Sequence, residues 1–239
     1  MILGCAAFAH RGLWSPDGPP ENSIAAFRAA AEAGCGIELD VQLSKDGVPV
    51  VFHDPALDRM TPGSGPVWER TAEELCALEL SGSGERIPRL SEALAALPSG
   101  TPVLVELKPS PGPHDDYIAA LDLALFGAGG EVAVMSFIRA LNRAAGEGLA
   151  ARPLGVLIPP APSGTPALGE RLAAAAHPRA SYTALRHEEV EAARTQLGAA
   201  ARLAAWTVDS GAALENARRA GAAAIFEGLA PETVLARTA

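Results

Sequence analysis

Short apolar runs recur along the chain, each separated from the next by an Ala- and Leu-rich stretch with helical spacing. The apolar runs are Ile2–Ala9, Gly36–Gln42, Val103–Lys108, Val132–Phe137, Pro153–Ile158, Ser181–Leu185, Leu203–Val208 and Ala222–Glu227. Their lengths and bounding turn residues predict strands. The intervening periodicity predicts helices over Ser23–Ala33, Ser91–Leu97, Tyr117–Leu125, Ile138–Glu147, Leu168–Ala176, His187–Leu197 and Ala212–Ala220. Asn22 or Ser23 is the N-cap of the first, and Gly221 closes the last. Strands alternating with helices predict an α/β chain with a parallel sheet. Eight such strands predict a closed (β/α)8 TIM barrel as one domain over residues 1–239. The rhythm breaks at Pro55–Arg89, which predicts an insertion on the barrel rim. A hairpin strand, Val48–His53, joined to the strand before it by the turn Lys45-Asp46-Gly47, leads into it. The Pro/Gly/Ser cluster Pro159–Pro166 reads as a loop.

Polar residues interrupt this pattern where the strands end. Glu38 and Asp40 are two apart on one strand, so both side chains project from the same face. Glu106 and Lys108 repeat that spacing at the end of another. His10-Arg11 follows the first apolar run, His53 ends the hairpin, and Trp206 and Glu227 lie near the ends of the last two strands. Barrel active sites lie at the C-terminal ends of the strands. Adjacent carboxylates repel and are costly to desolvate. Glu38, Asp40 and Glu106 therefore either form an oxygen-rich site for Mg2+ or Ca2+, or pair with Arg11 and Lys108 as a buried ion network. His10 and His53 beside them are candidates for a general acid and base. His114, His177 and His187 lie in loops or at helix starts and receive no role.

Charge and cysteine content narrow the partners. The chain has 239 residues, 49% apolar and 20% charged, with a formal net charge of −9 and no Lys/Arg run. That argues against nucleic acid or an anionic membrane surface as partner. Arg11 and Lys108 beside a metal would nonetheless make a local positive centre, suited to a phosphate oxyanion. Metal-assisted hydrolysis of a phosphate ester is the favoured chemistry. Cys5, Cys35 and Cys76 show no CxxC spacing and read as small, reduced residues. The apolar start MILGCAAFAHRG has no basic leader, so the expectation is a cytoplasmic chain without a stable membrane anchor.

The segments HRG at 10–12, PENSIAAF at 20–27, IELDVQLSKDG at 37–47 and VVFHD at 50–54 resemble the glycerophosphodiester phosphodiesterase family. So do VELKP at 105–109, SF at 136–137 and WTV at 206–208. The resemblance implies a metal-dependent TIM barrel that hydrolyses glycerophosphodiesters, such as glycerophosphocholine or glycerophosphoethanolamine, to glycerol 3-phosphate and an alcohol. It implies His10 and His53 as the acid/base pair. It also implies Glu38, Asp40 and Glu106 as ligands of one divalent ion, and Arg11 and Lys108 as phosphate binders. Phe137 and Trp206 would line the substrate pocket, with core packing as the alternative. Two segments depart from the family form: GCGIELD before and through Glu38, and IFEGLAPE at the last strand, where Glu227 stands in for an expected Asp-containing ending. Competing readings are a lysophospholipase D or phospholipase-like enzyme with an apolar channel through Pro55–Arg89, and a non-catalytic phosphoester-binding barrel. The expected assembly is a monomer or homodimer.

Overall fold

The computed structural model describes residues 4, 7–128, 131–161 and 166–236. Cys5, most of the expected first strand before Ala7, and the middle of the loop at 159–166 lie outside them. The strands are β1 (Ala7–His10), β2 (Gly36–Leu43), β3 (Pro49–Val51), β4 (Val103–Leu107), β5 (Val132–Ser136), β6 (Leu154–Leu157), β7 (Ala180–Arg186), β8 (Leu203–Val208) and β9 (Ala223–Phe226). All but β3 pair in parallel around a ring, and β1 closes it by pairing with both β9 and β2. This is a (β/α)8 barrel. The ninth strand, β3, is the short antiparallel hairpin partner of β2, with Val41 opposite Val51.

The helices that follow the strands are α1 (Ile24–Glu32), α2 (Ala72–Cys76), α3 (Leu90–Ala95), α4 (His114–Leu125), α5 (Arg139–Gly148), α6 (Leu168–Ala175), α7 (Val190–Leu197), α8 (Gly211–Arg219) and α9 (Pro231–Leu235). Ser23 caps α1 by accepting from the Ala26 amide. α7 starts later than its periodicity suggests and leaves His187 in the preceding loop. The hairpin strand is also shorter than expected and leaves His53 just beyond it. α2 and α9 carry no long apolar period. α2 rests on a Thr71/Glu74 capping box, and α9 has Pro in its first turn.

Side-chain alternation sorts the core into two shells. Outward residues such as Ile37, Leu39, Val105 and Val134 pack under the helices. Inward residues Phe8, Leu104, Ala133, Met135, Tyr182, Ala204 and Ile225 fill the barrel. Phe8 and Tyr182 need space across the interior, and glycines provide it. A Cβ on Gly36 would lie 2.5 Å from the Phe8 ring, and one on Gly155 would lie 2.2 Å from the Tyr182 ring. A third cluster belongs to the stretch between β3 and α3. Val50, Phe52, Leu57, Val67, Ala72, Leu75, Leu80 and Ile87 bury one another there. The leucines of this stretch are thus packed into its own core rather than lining an apolar channel. No helix among the described residues is long and apolar enough to cross a membrane.

Candidate active site

The same alternation that sends Phe8, Leu104 and Ile225 into the barrel sends the next inward residues to its C-terminal rim. His10 follows Phe8, Glu106 follows Leu104 and Glu227 follows Ile225, each two residues on. On β2 the inward positions are Glu38 and Asp40, and register places Asp40 opposite Glu106 on β4. His10 and Glu38 are likewise register partners. The expected site residues therefore converge. His10, Arg11, Glu38, His53, Glu106, Lys108, Phe137 and Trp206 line one cavity of about 150 Å³ at the mouth, with Asp40 fully buried behind it. Such a volume holds about five water molecules at roughly 30 Å³ each.

Carboxylates and cations interlock behind this surface. The Lys108 ammonium lies 2.9 Å from Asp40 Oδ1 and 2.7 Å from Glu106 Oε1. The Arg11 side chain donates to Glu21 at 3.0 Å and sits 3.5 Å from Asp40 Oδ2. Asn22 Nδ2 donates to Asp40 Oδ2 at 2.9 Å, and Asn22 Oδ1 accepts from the Asp40 amide. With Ser23 acting as the helix cap, Asn22 is left for this clamp. Glu38 is the exception. It accepts from the Arg11 backbone amide at 3.2 Å, and its nearest cationic side chain is His10 at 4.0 Å. No lysine or arginine side chain pairs with it among the described residues. Burial, with the nearby charge of Asp40, pushes its carboxyl up to about 8. Asp40 is buried as deeply, but Lys108, His53 and Arg11 outweigh that and hold it well below the usual carboxylate range.

The ion network is thus real but incomplete. Oxygens of Glu38, Asp40 and Glu106 lie within 4.8 Å of one another, buried, and among the described residues Glu38 has no lysine or arginine partner. That donor set fits a hard divalent ion, which favours oxygen ligands.

Each histidine is braced by its own carboxylate. His10 Nδ1 lies 2.7 Å from Glu227 Oε2, which turns Nε2 toward Glu38. Burial alone would lower the His10 imidazole, but the Glu227 bond and the Glu38 charge reverse this, and its pKa rises. His53 Nδ1 lies 2.7 Å from Asp54 Oδ1. There burial prevails with help from Lys108 and Arg11, against the pull of Asp40, and the His53 pKa falls. The backbone around His53 is pinned from inside the barrel, since Gln42 Nε2 donates to the carbonyls of Phe52 and Asp54. Phe137 and Trp206 meet edge to face, 5.4 Å between centroids. They line the cavity and also pack on the interior cluster.

Residues 10–227 match the Glycerophosphoryl diester phosphodiesterase family, well over half of the chain. The chain belongs to that family. A glycerophosphodiester phosphodiesterase of Caldanaerobacter subterraneus subsp. tengcongensis is 50% identical over 91 residues, covering 35% of this chain and 37% of that protein. Mouse glycerophosphodiester phosphodiesterase 1 is 42% identical over 98 residues, covering 37% of this chain and 29% of the relative. The chain thus spans about a third of the length of the curated relatives it matches. A solved Oleispira antarctica phosphodiesterase, in complex with the product sn-glycerol-3-phosphate, superposes with a TM-score of 0.77 at 27% identity, covering 92% of both chains.

The family motifs acquire partners that sequence reasoning left unassigned. Glu21 and Asn22 of the PENS segment hold Arg11 and Asp40. Asp54 of the HD pair braces His53, and Arg59 grips Asp54 in turn. Glu227, just beyond the end of β9, braces His10. The quoted motifs themselves were the signal for Glu21, Asn22 and Asp54.

Proposed function

We propose that this chain hydrolyses glycerophosphodiesters, such as glycerophosphocholine or glycerophosphoethanolamine, to glycerol 3-phosphate and an alcohol. The observation that carries this reading is one cavity lined by two separately braced histidines, buried carboxylates, Arg11 and Lys108. The product complex of the Oleispira phosphodiesterase supports it. Glu38, Asp40 and Glu106 would hold one Mg2+ or Ca2+. When bound, that ion offsets the carboxylate charge and polarises a phosphate oxygen.

The remaining work falls to this chain's own side chains. Arg11 and Lys108 hold the phosphate by charge-assisted hydrogen bonds. His10, its pKa raised, is the imidazolium that gives the Nε2 proton to the leaving alcohol oxygen. His53, its pKa lowered, is neutral and accepts the proton of the nucleophile at Nε2, while Asp54 fixes its Nδ1 proton. Water serves as that nucleophile directly, or the substrate's own glycerol hydroxyl does so and gives a cyclic phosphate, which a water then opens to glycerol 3-phosphate. Phe137 and Trp206 pack against the organic part of the diester.

The test is release of glycerol 3-phosphate from glycerophosphocholine by chelator-stripped protein, with Mg2+, Ca2+ or neither, beside Glu38→Ala. Cation-dependent release that vanishes in the variant is expected. A folded wild-type chain that releases none with either cation overturns the reading.

A further inference from the structure

Arg59 lies on the stretch between β3 and α3, outside the barrel, and its side chain is 47% exposed. Its neighbour Leu57 is anchored in the cluster of that stretch, and Thr61 closes the turn by donating to the Leu57 carbonyl. From there the guanidinium reaches back over the barrel rim and grips two carboxylates at once. Nε and Nη2 donate to Asp54 at 2.6 and 3.0 Å. Nη2 and Nη1 donate to Glu21 at 2.6 and 3.0 Å. Those carboxylates are the ones that brace His53, at 2.7 Å, and Arg11, at 3.0 Å. A planar fork can meet both carboxylates with two hydrogen bonds each, whereas a lysine ammonium is a point charge without that bidentate geometry.

We propose that Arg59 is a positioning residue: one guanidinium fixes Asp54 behind His53 and Glu21 behind Arg11, so the rim stretch sets the spacing between base and phosphate-binding arginine. The proposal rests on the roles given to His53 and Arg11 above. Without Arg59, Asp54 and Glu21 face each other with no cation between them. Glu21 then keeps only Arg11, and Asp54 only His53. Both are free to draw their partners out of the cavity.

The experiment uses the whole chain with Arg59→Ala, Arg59→Lys, Asp54→Asn and Glu21→Gln, assayed on glycerophosphocholine. Arg59→Ala is expected to lower kcat/KM by roughly 10- to 100-fold, as loss of an orienting partner commonly does. The loss should divide into a fall in kcat like that of Asp54→Asn and a rise in KM like that of Glu21→Gln. Added guanidinium should restore part of it in Arg59→Ala, and Arg59→Lys, which keeps the charge without the bidentate fork, should recover less than wild type. The double variant Arg59→Ala/Asp54→Asn should lose little more kcat than Asp54→Asn alone. Near-wild-type kinetics, or fully additive losses without guanidinium rescue, overturn the proposal. An activity-free readout separates it from the reaction itself: the His53 imidazole 15N–1H signal, assigned with His53→Gln. That signal should weaken or shift in Arg59→Ala, or in Arg59→Gln if the alanine variant does not fold, while the His10 signal stays. An unmoved signal counts against Arg59 even if wild type proves inactive on every glycerophosphodiester.

Discussion

Replacing Glu38 by Gln separates the metal-holding role proposed for the carboxylate from what the carboxylate costs the fold. Glu38 is 1% exposed and lacks a lysine or arginine partner among the described residues. Burial and the Asp40 charge raise its carboxyl from an ordinary 4.5 to about 8. A raised carboxyl pKa makes the folded state the stronger proton binder. The cost of ionising Glu38 in the fold is therefore absent below the ordinary value, grows between 4.5 and about 8, and is complete above that. At about 1.4 kcal/mol per pH unit, the interval is worth up to about 5 kcal/mol. Gln keeps the shape and can still accept from the Arg11 amide, but carries no charge. Metal-free Glu38→Gln is expected to melt above metal-free wild type at alkaline pH by on the order of 10 °C, at about 2–4 °C per kcal/mol. The gap should close on acidification. Thermal unfolding of chelator-treated proteins at about pH 5 and about pH 8.5, on either side of the interval, reads this directly. A gap that does not change with pH, or a variant less stable at the alkaline end, refutes the reasoning. Activity should be lost in the variant under every condition.

Three further outcomes follow from the same geometry. Mg2+ or Ca2+ should raise the Tm of wild type at neutral pH, by about 2.7 kcal/mol of stability at a hundredfold excess over Kd, and far less in Glu106→Gln. Glu227→Gln removes the bond that favours the His10 imidazolium, so the alkaline limb of the kcat/KM profile should move to lower pH; an unmoved limb separates Glu227 from the acid. Gly155→Ala puts a Cβ 2.2 Å from the Tyr182 ring and should cost about 1–3 kcal/mol in urea unfolding, partly recovered by Tyr182→Leu.

Much of this site was legible before folding. Spacing of two along a strand put Glu38 with Asp40 and Glu106 with Lys108, because strand side chains alternate whatever the fold. The strand–helix rhythm implied a closed barrel, and a barrel brings strand ends together. That is why residues as distant in sequence as His10 and Trp206 line one cavity. Element boundaries were less legible. α2 and α9 are short and carry little period, and β1 runs to His10 because pairing with Glu38 extends it. The choice between metal site and ion network was not legible either. Distances bear on it without deciding it: Lys108 reaches Asp40 and Glu106, and among the described residues no lysine or arginine side chain pairs with Glu38.

The sequence by itself determined the barrel, the set of inward-facing polar residues and the family, since these depend on periodicity and on short local motifs. Only the tertiary structure decided which carboxylate braces which cation. The His10–Glu227 bond spans 217 residues and the Arg59–Glu21 bond 38, and no periodicity links such positions. Their proximity comes from ring closure and from the separately packed stretch on the rim. The charge state of each group depends in turn on burial and neighbours that exist only once the ring is shut.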